Sequence, residues 1–280
     1  MINSRFVRQS IFVLCLLMIA NAAGGQTRSR SSEFVPTEGQ AGKDVIWVPT
    51  SQTLVDKMLD LAKITPADYL IDLGSGDGRL VISAAKRGTR ALGIEYNPDM
   101  VGLSKRNALK EGVSDKAQFI QADIFKSDFS RATVITMFLL TSINLQLRPH
   151  ILNLKPGTRI VSNTFTMEDW EADETATVEE GDKCSNYCTA LLWVVPAKVE
   201  GNWKLSQGQL TLKQTFQMIS GTFDSSSNNV AISNGRLKGE GISFAAGQTE
   251  YVGRVSGNAM EGTFKSAGTT GKWNAVRTSR

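Results

Sequence analysis

The apolar residues between positions 46 and 198 follow two alternating patterns. Short unbroken runs, Tyr69-Leu70-Ile71 and residues 133–140, have the composition of strands buried on both faces. Between them apolar residues return at helical spacing, first at Leu80, Val81, Ala84 and Ala85. A second helix holds Met100, Val101, Leu103 and Ala108; Pro98 suits its first turn, and it runs to about Glu111. Residues 90–95 and 117–123 supply two further short strands. Strands alternating with helices predict an α/β domain with a parallel sheet.

Near residue 200 the pattern changes. Alternating segments at 210–218, 221–224, 229–232, 236–239, 241–244, 250–255, 260–264 and 272–276 are separated by Gly, Asn and Ser. Short strands at this spacing predict a small all-β domain, a barrel or a sandwich. Asn228-Asn229, Asn234-Gly235 and Ser256-Gly257 are its tight-turn candidates. Twelve of the 25 glycines lie after residue 200, and no proline follows Pro196. Pro196 cannot donate within a central ladder, so 194–197 is expected to end the first domain. Residues 198–202 would then link it to a domain spanning 199–280. The whole chain carries a formal charge of +4, and residues 201–280 hold nine Lys/Arg against four Asp/Glu. That excess is compatible with a solvated basic face or with an acidic partner or membrane surface, and no motif points to nucleic acid.

The chemistry concentrates in Asp72-Leu-Gly-Ser-Gly-Asp-Gly78, which joins the first strand to the helix that follows it. Glycines let a backbone approach a ligand closely, and a helix N-terminus offers free N–H groups. A dinucleotide turn reads Gly-x-Gly-x-x-Gly and faces a diphosphate. Here the spacing is Gly-x-Gly-x-Gly, and Asp72 and Asp77 flank it. Two carboxylates repel a diphosphate and suit a ligand bearing a cation. Glu95 ends the second strand 23 residues after Asp72, at the spacing of an acid that accepts ribose hydroxyls. The third strand also ends in an acid, Asp123.

Together these blocks resemble the class I, seven-strand S-adenosylmethionine-dependent methyltransferases, which have a Rossmann-like sheet. Over residues 44–198 the similarity is to a bacterial group related to the mitochondrial lysine methyltransferases that modify the c ring protein of ATP synthase. It is carried by residues 45–50, the glycine turn, Gly93-Ile-Glu95, Gln121-Ala-Asp123, residues 138–144 and residues 154–162. The resemblance implies S-adenosyl-L-methionine as cofactor. It implies Asp72, Gly74, Ser75, Gly76, Asp77, Gly78 and Glu95 as its binding residues, with Asp123 and Ile124 at the adenine. It assigns no catalytic base. Thr141, Ser142 and Asn144, after the fourth strand, are the candidates for positioning a methyl acceptor, with helix capping as the alternative for the two hydroxyls. Trp47, Pro49 and Thr50 precede the first helix and are candidates to close over the cofactor, with core packing as the alternative for Trp47. Methyl transfer to a protein lysine or another small nucleophile is the implied activity. The alternative is a non-catalytic envelope protein that keeps the fold for binding.

Arg5 and Arg8 precede the apolar run 11–20, and Ala20-Asn21-Ala22 is a small-x-small cleavage site. Residues 1–22 therefore read as a secretory signal peptide, followed by a flexible linker over 23–45. Export to the periplasm or beyond is expected, with an uncleaved N-terminal anchor as the alternative and the leader as the only membrane contact. A cofactor made in the cytoplasm stands in tension with export. Cys184 and Cys188 are spaced for a local disulfide, with free thiols as the alternative, and with His150 the single histidine, a metal site lacks ligands. Mature protein recovered from the native envelope is predicted to begin near Ala23. An intact segment 1–22 on membrane-bound protein, seen by mass spectrometry, would replace export by anchoring.

Overall fold

The computed structural model describes residues 33–179, 184, 186–225 and 228–279; the expected signal peptide lies outside them. The first helix, α1 (Gln52–Leu61), starts where the Ser51 hydroxyl accepts the Leu54 N–H at 3.3 Å, satisfying a donor that a helix start leaves unpaired. The expected alternation follows: β1 (Tyr69–Leu73), α2 (Arg79–Lys86), β2 (Arg90–Glu95), α3 (Pro98–Lys110), β3 (Ala117–Gln121), β4 (Val134–Met137), α4 (Thr141–Ile151) and β5 (Arg159–Asn163). Asn97 caps α3 through the Asp99 N–H, and Pro98 occupies its first turn. Two strands, β6 (Glu174–Thr177) and β7 (Thr189–Val194), complete a sheet of order β3-β2-β1-β4-β5-β7-β6, in which β7 is antiparallel to both neighbours.

Successive residues on a strand point to opposite faces, and each face of this sheet has its own core. Leu70, Val134, Val161 and Leu192 pack with α1, α2 and α3. Ile71, Ile135, Ile160 and Trp193 pack with Ile143, Leu147 and Ile151 of α4. Both faces are covered, which explains why the strands read as continuous apolar runs. The chain winds outward from β1 to β3 and returns to β4 on the other side of β1. That reversal opens a crevice beyond the carboxyl ends of β1 and β4.

The C-terminal region is a closed antiparallel barrel, not a sandwich. Its strands are β8 (Gly201–Leu205), β9 (Gly208–Thr215), β10 (Met218–Ser225), β11 (Asn229–Lys238), β12 (Gly241–Ala246), β13 (Thr249–Ser256), β14 (Ala259–Ser266) and β15 (Thr269–Ser279). Phe244 stacks on Tyr251 at 4.8 Å, and Trp273 meets both edge-on at 5.8 Å. Gly253 makes room for that indole, since a Cβ there would lie 2.7 Å from Trp273. Two expectations change. Segments 229–232 and 236–239 are one strand with a register shift between Ser233 and Arg236, so Asn234-Gly235 is a bulge and not a hairpin turn. Gly201 and Asn202 already belong to β8, and Val199 is buried in the barrel core, so 198–202 is no free linker.

The barrel is joined to the sheet by packing. Trp170 is wholly buried; it stacks on Phe216 at 5.7 Å and tilts against Trp193 at 6.3 Å. Gln217 donates to the Glu171 carbonyl at 2.9 Å, Ala197 donates to the Gly239 carbonyl at 2.8 Å, and Arg236 pairs with Asp173 at 2.7 Å. Removing the Phe216 ring by Phe216→Ala is predicted to cost roughly 1.5–3 kcal/mol of stability. Tryptophan emission should shift to the red while cofactor affinity stays unchanged. Unaltered thermal unfolding would show that the barrel does not brace the sheet.

Candidate active site

The crevice is a cavity of about 440 Å³. One wall is the glycine turn. The N–H groups of Gly74 and Ser75 both reach the Ile94 carbonyl, at 2.9 and 3.1 Å, tying the turn to β2. Gly76 has φ +53°, and a Cβ there would lie 2.7 Å from Trp47 Nε1. Gly78 has φ +82° as the N-cap of α2, and its Cβ would strike the Phe119 ring at 2.7 Å. Gly78 does not line the cavity; its part is to let the helix start close against β3, which corrects its expected contact with the cofactor.

The acids of the turn divide into two kinds. Asp77 is matched by Arg79 at 2.6 Å, and Arg79 also donates to the Thr50 carbonyl at 2.5 Å. Its charge is therefore balanced within the protein. Asp72 and Glu95 have no cationic partner among the described residues. Glu95 is oriented by two backbone donors, Gly76 N–H and Asn97 N–H, both at 2.9 Å. Asp72 is 5% exposed and accepts the Thr136 hydroxyl at 2.7 Å. Burial pushes its carboxyl up to about 7; the Thr136 bond opposes this, and the Glu95 and Asp77 charges reinforce it. Beside them the buried Ser75 hydroxyl has no hydrogen-bond partner among the described residues.

A second wall comes from a segment expected to be linker. Gly39 donates to the Trp47 carbonyl and Trp47 donates back to Gln40, both at 2.9 Å, closing a turn over 39–47. This turn lines the cavity through residues 40–47, so the C-terminal end of the 23–45 segment is folded where the sequence predicts a flexible tether. Lys43 pairs with Asp123 at 3.1 Å and lies over the rings of Tyr96 and Phe125, at 5.3 and 5.6 Å. The Phe125 N–H, and then Lys43, hold the Asp123 carboxyl below its usual range. Asp123 and Ile124 both line the cavity. Lys43 and Tyr96 escaped the sequence reading because their placement depends on contacts about 80 residues apart in the case of Lys43 and Asp123.

The acceptor end is corrected more extensively. Thr141, Ser142 and Asn144 do not line the cavity; Phe138, Leu139, Leu140, Ile143, Phe165 and Tyr187 do. Helix α4 begins at Thr141, with Leu140 as an N-cap and no side-chain cap hydrogen bond, so neither hydroxyl caps the helix as the alternative reading expected. Asn144 is fully buried; its amide donates to the Phe165 and Thr166 carbonyls at 3.0 and 3.2 Å and fixes the loop after β5. His150 is exposed in the last turn of α4. Cys184 and Cys188 are disulfide-bonded beside Tyr187, with Cα atoms 5.8 Å apart.

The cavity fits the expected cofactor. Two unbalanced carboxylates, an unpartnered buried hydroxyl and a turn with no space for a Cβ suit a ligand bearing a cation and hydroxyls. Asp72, Gly74, Ser75, Gly76 and Glu95 would hold S-adenosylmethionine, with Asp123 and Ile124 at its far end.

Relatives agree with this geometry. The family model described as the ANTKMT methyltransferase domain matches residues 72–174. A protein-lysine N-methyltransferase of Saccharolobus islandicus is 42% identical over 141 residues, covering 49% of this chain and 88% of that protein. The Mus musculus adenine nucleotide translocase lysine N-methyltransferase is 36% identical over 140 residues, 49% of this chain and 59% of that protein, so the chain spans under two thirds of that relative's length. The crystal structure of an RNA methyltransferase from Salinibacter ruber, in complex with S-adenosyl-L-homocysteine, is 44% identical with a TM-score of 0.50, covering 54% of this chain and 96% of that one. None of these relatives supports the reading of a non-catalytic binding protein. The chain belongs to the ANTKMT methyltransferase-domain family and is an S-adenosylmethionine-dependent methyltransferase.

Proposed function

We propose that this chain N-methylates the side-chain amine of lysine in a protein acceptor. One observation carries the reading: the acids lining the cavity sit at the ends of β1, β2 and β3 or on the 40–47 turn, and the acceptor end is apolar and aromatic. S-adenosylmethionine, when bound, would supply a methyl group on a sulfonium; the acceptor's lone pair attacks that methyl carbon in line, and the sulfur leaves with the bonding pair as a neutral thioether. A nucleophile that arrives protonated, such as an alcohol, needs a general base within reach. A lysine amine that has given up one proton to solvent brings its own lone pair, and attack leaves it as a methylammonium. Leu139, Leu140 and Ile143 line this end with apolar surface, and the remaining demand is orientation, which alone lowers a barrier by up to ~7–11 kcal/mol. The lysine chemistry named for the Saccharolobus and mouse relatives supports the same class.

We also propose that the chain acts outside the cytoplasm. The 1–22 leader supports this, and so does the Cys184–Cys188 bond, since disulfides persist in oxidising compartments.

The test is methyl transfer by the full chain from S-adenosyl-[methyl-³H]methionine into a cell extract that holds both protein and RNA. Label is expected on protein and, after digestion, on lysine ε-nitrogen. Glu95→Ala is expected to weaken cofactor binding by ~1.5–3 kcal/mol, through loss of a charge-assisted hydrogen bond, and to suppress labelling at limiting cofactor. Label confined to RNA, or to a protein side chain other than lysine, would overturn the lysine reading.

A further inference from the structure

Three rings close a triangle at the acceptor end of the cavity. Phe138 and Phe165 are 6.0 Å apart between centroids, Phe138 and Tyr187 5.3 Å, and Phe165 and Tyr187 5.8 Å. They come from three separate places in the chain: just past β4, just past β5, and just before β7. All three line the cavity.

This cluster differs from the aromatic packing elsewhere. Trp170 and Trp193 are buried to within 1%, whereas Phe138 and Phe165 are half-buried and Tyr187 is 43% exposed. Ring surface is being left open to the cavity. Tyr187 also has φ +57°, a backbone conformation unusual for a side chain of its size. It is retained next to a covalent tie, since the adjacent Cys188 is bonded to Cys184. At this end the neighbours are Leu139, Leu140 and Ile143, and the lining carboxylates lie on the cofactor side. Aromatic rings carry negative potential on their faces, and these three rings line the end of the cavity that lacks carboxylates.

We propose that Phe138, Phe165 and Tyr187 form the surface that receives the cationic head of the methyl acceptor by cation–π attraction, with the Cys184–Cys188 bond holding Tyr187 in place. The proposal rests on the lysine reading above and names the residues that recognise that substrate. The chemistry suits the reaction. Each methyl group added leaves an ammonium larger and less hydrated, and aromatic faces bind such ions well. The rings thus accept substrate and partly methylated product alike, which favours repeated transfer to one amine.

The experiment uses the full chain saturated with S-adenosylhomocysteine. It is titrated, with ring signals followed by NMR, with Nα-acetyl-Nε-trimethyllysine amide and with the uncharged isostere carrying a tert-butyl group in place of the trimethylammonium. The cation is expected to bind roughly fivefold to thirtyfold more tightly than the isostere. Tyr187→Leu and Phe165→Leu should abolish that preference, and Tyr187→Phe should keep it. Cys184→Ser combined with Cys188→Ser should reduce it toward the Tyr187→Leu value. Each variant should bind S-adenosylhomocysteine as the wild type does, which reports that it is folded. Equal affinity for cation and isostere, no binding of either, or tighter binding of uridine than of the cation would overturn the proposal; the last would mark a base-stacking surface. If lysine is labelled but the preference is absent, this proposal alone falls. If the preference is present but the label lies elsewhere, the ring surface stands and the lysine reading falls.

Discussion

Ionising a carboxyl group that folding has taken out of water costs free energy, and the methyltransferase site is organised around one such group. Asp72 lies near the end of β1, an inner strand of the sheet, and burial carries its carboxyl to about 7. An aspartate in an unfolded chain titrates near ~3.9. The native state therefore holds the Asp72 proton more tightly than the unfolded state does. The stability this confers is fully present below the unfolded value and is lost as pH rises through about 7. Near neutral pH the group works against the fold. A protein that retains it has a use for an acid that a bound cation can discharge.

The neighbouring structure keeps that charge unpaired inside the protein. Arg79, the arginine that follows the turn, is committed to Asp77 and to the Thr50 carbonyl. Lys43, on the opposite wall, is committed to Asp123. Glu95 is held by backbone N–H groups and not by a cation. Trp47 lies against Gly76. The site is thus negative along the ends of β1, β2 and β3 and apolar beside Leu139, Leu140 and Ile143. This polarity separates the two reactants without a metal ligand set among the described residues.

Much of this was legible in the sequence, for identifiable reasons. The sheet was legible because its strands are covered on both faces and because its helices carry their own start signals at Asn97-Pro98. The glycine turn was legible because its spacing is fixed by backbone geometry and its acids by ligand charge. The acceptor end was not. Whether Thr141 or Phe138 faces the cavity depends on where α4 begins, and a one-residue change in that start rotates every side chain by about 100°. The 39–47 turn was missed because it has little apolar content and is shaped by distant partners. Strand β8 was missed because it is short and follows a proline, and the bulge at Asn234-Gly235 reads locally as a hairpin turn.

The barrel contributes rigidity to this arrangement from outside it. Its joint at Trp170 and Phe216 lies on the face that β5 and β7 share with α4, and no barrel residue lines the cavity. The account therefore stands or falls at Asp72. The most direct measurement is calorimetry of S-adenosylmethionine binding at pH 6, in two buffers of different ionisation enthalpy, and then across pH 5.5 to 8. A cation next to Asp72 should expel its proton, so binding at pH 6 should release close to one proton. Affinity should rise roughly tenfold per pH unit up to about 7 and then level, and Asp72→Asn should abolish both effects. Binding that takes up no proton and releases none, with affinity independent of pH in the wild type, would contradict a site built around a buried, cation-seeking carboxylate.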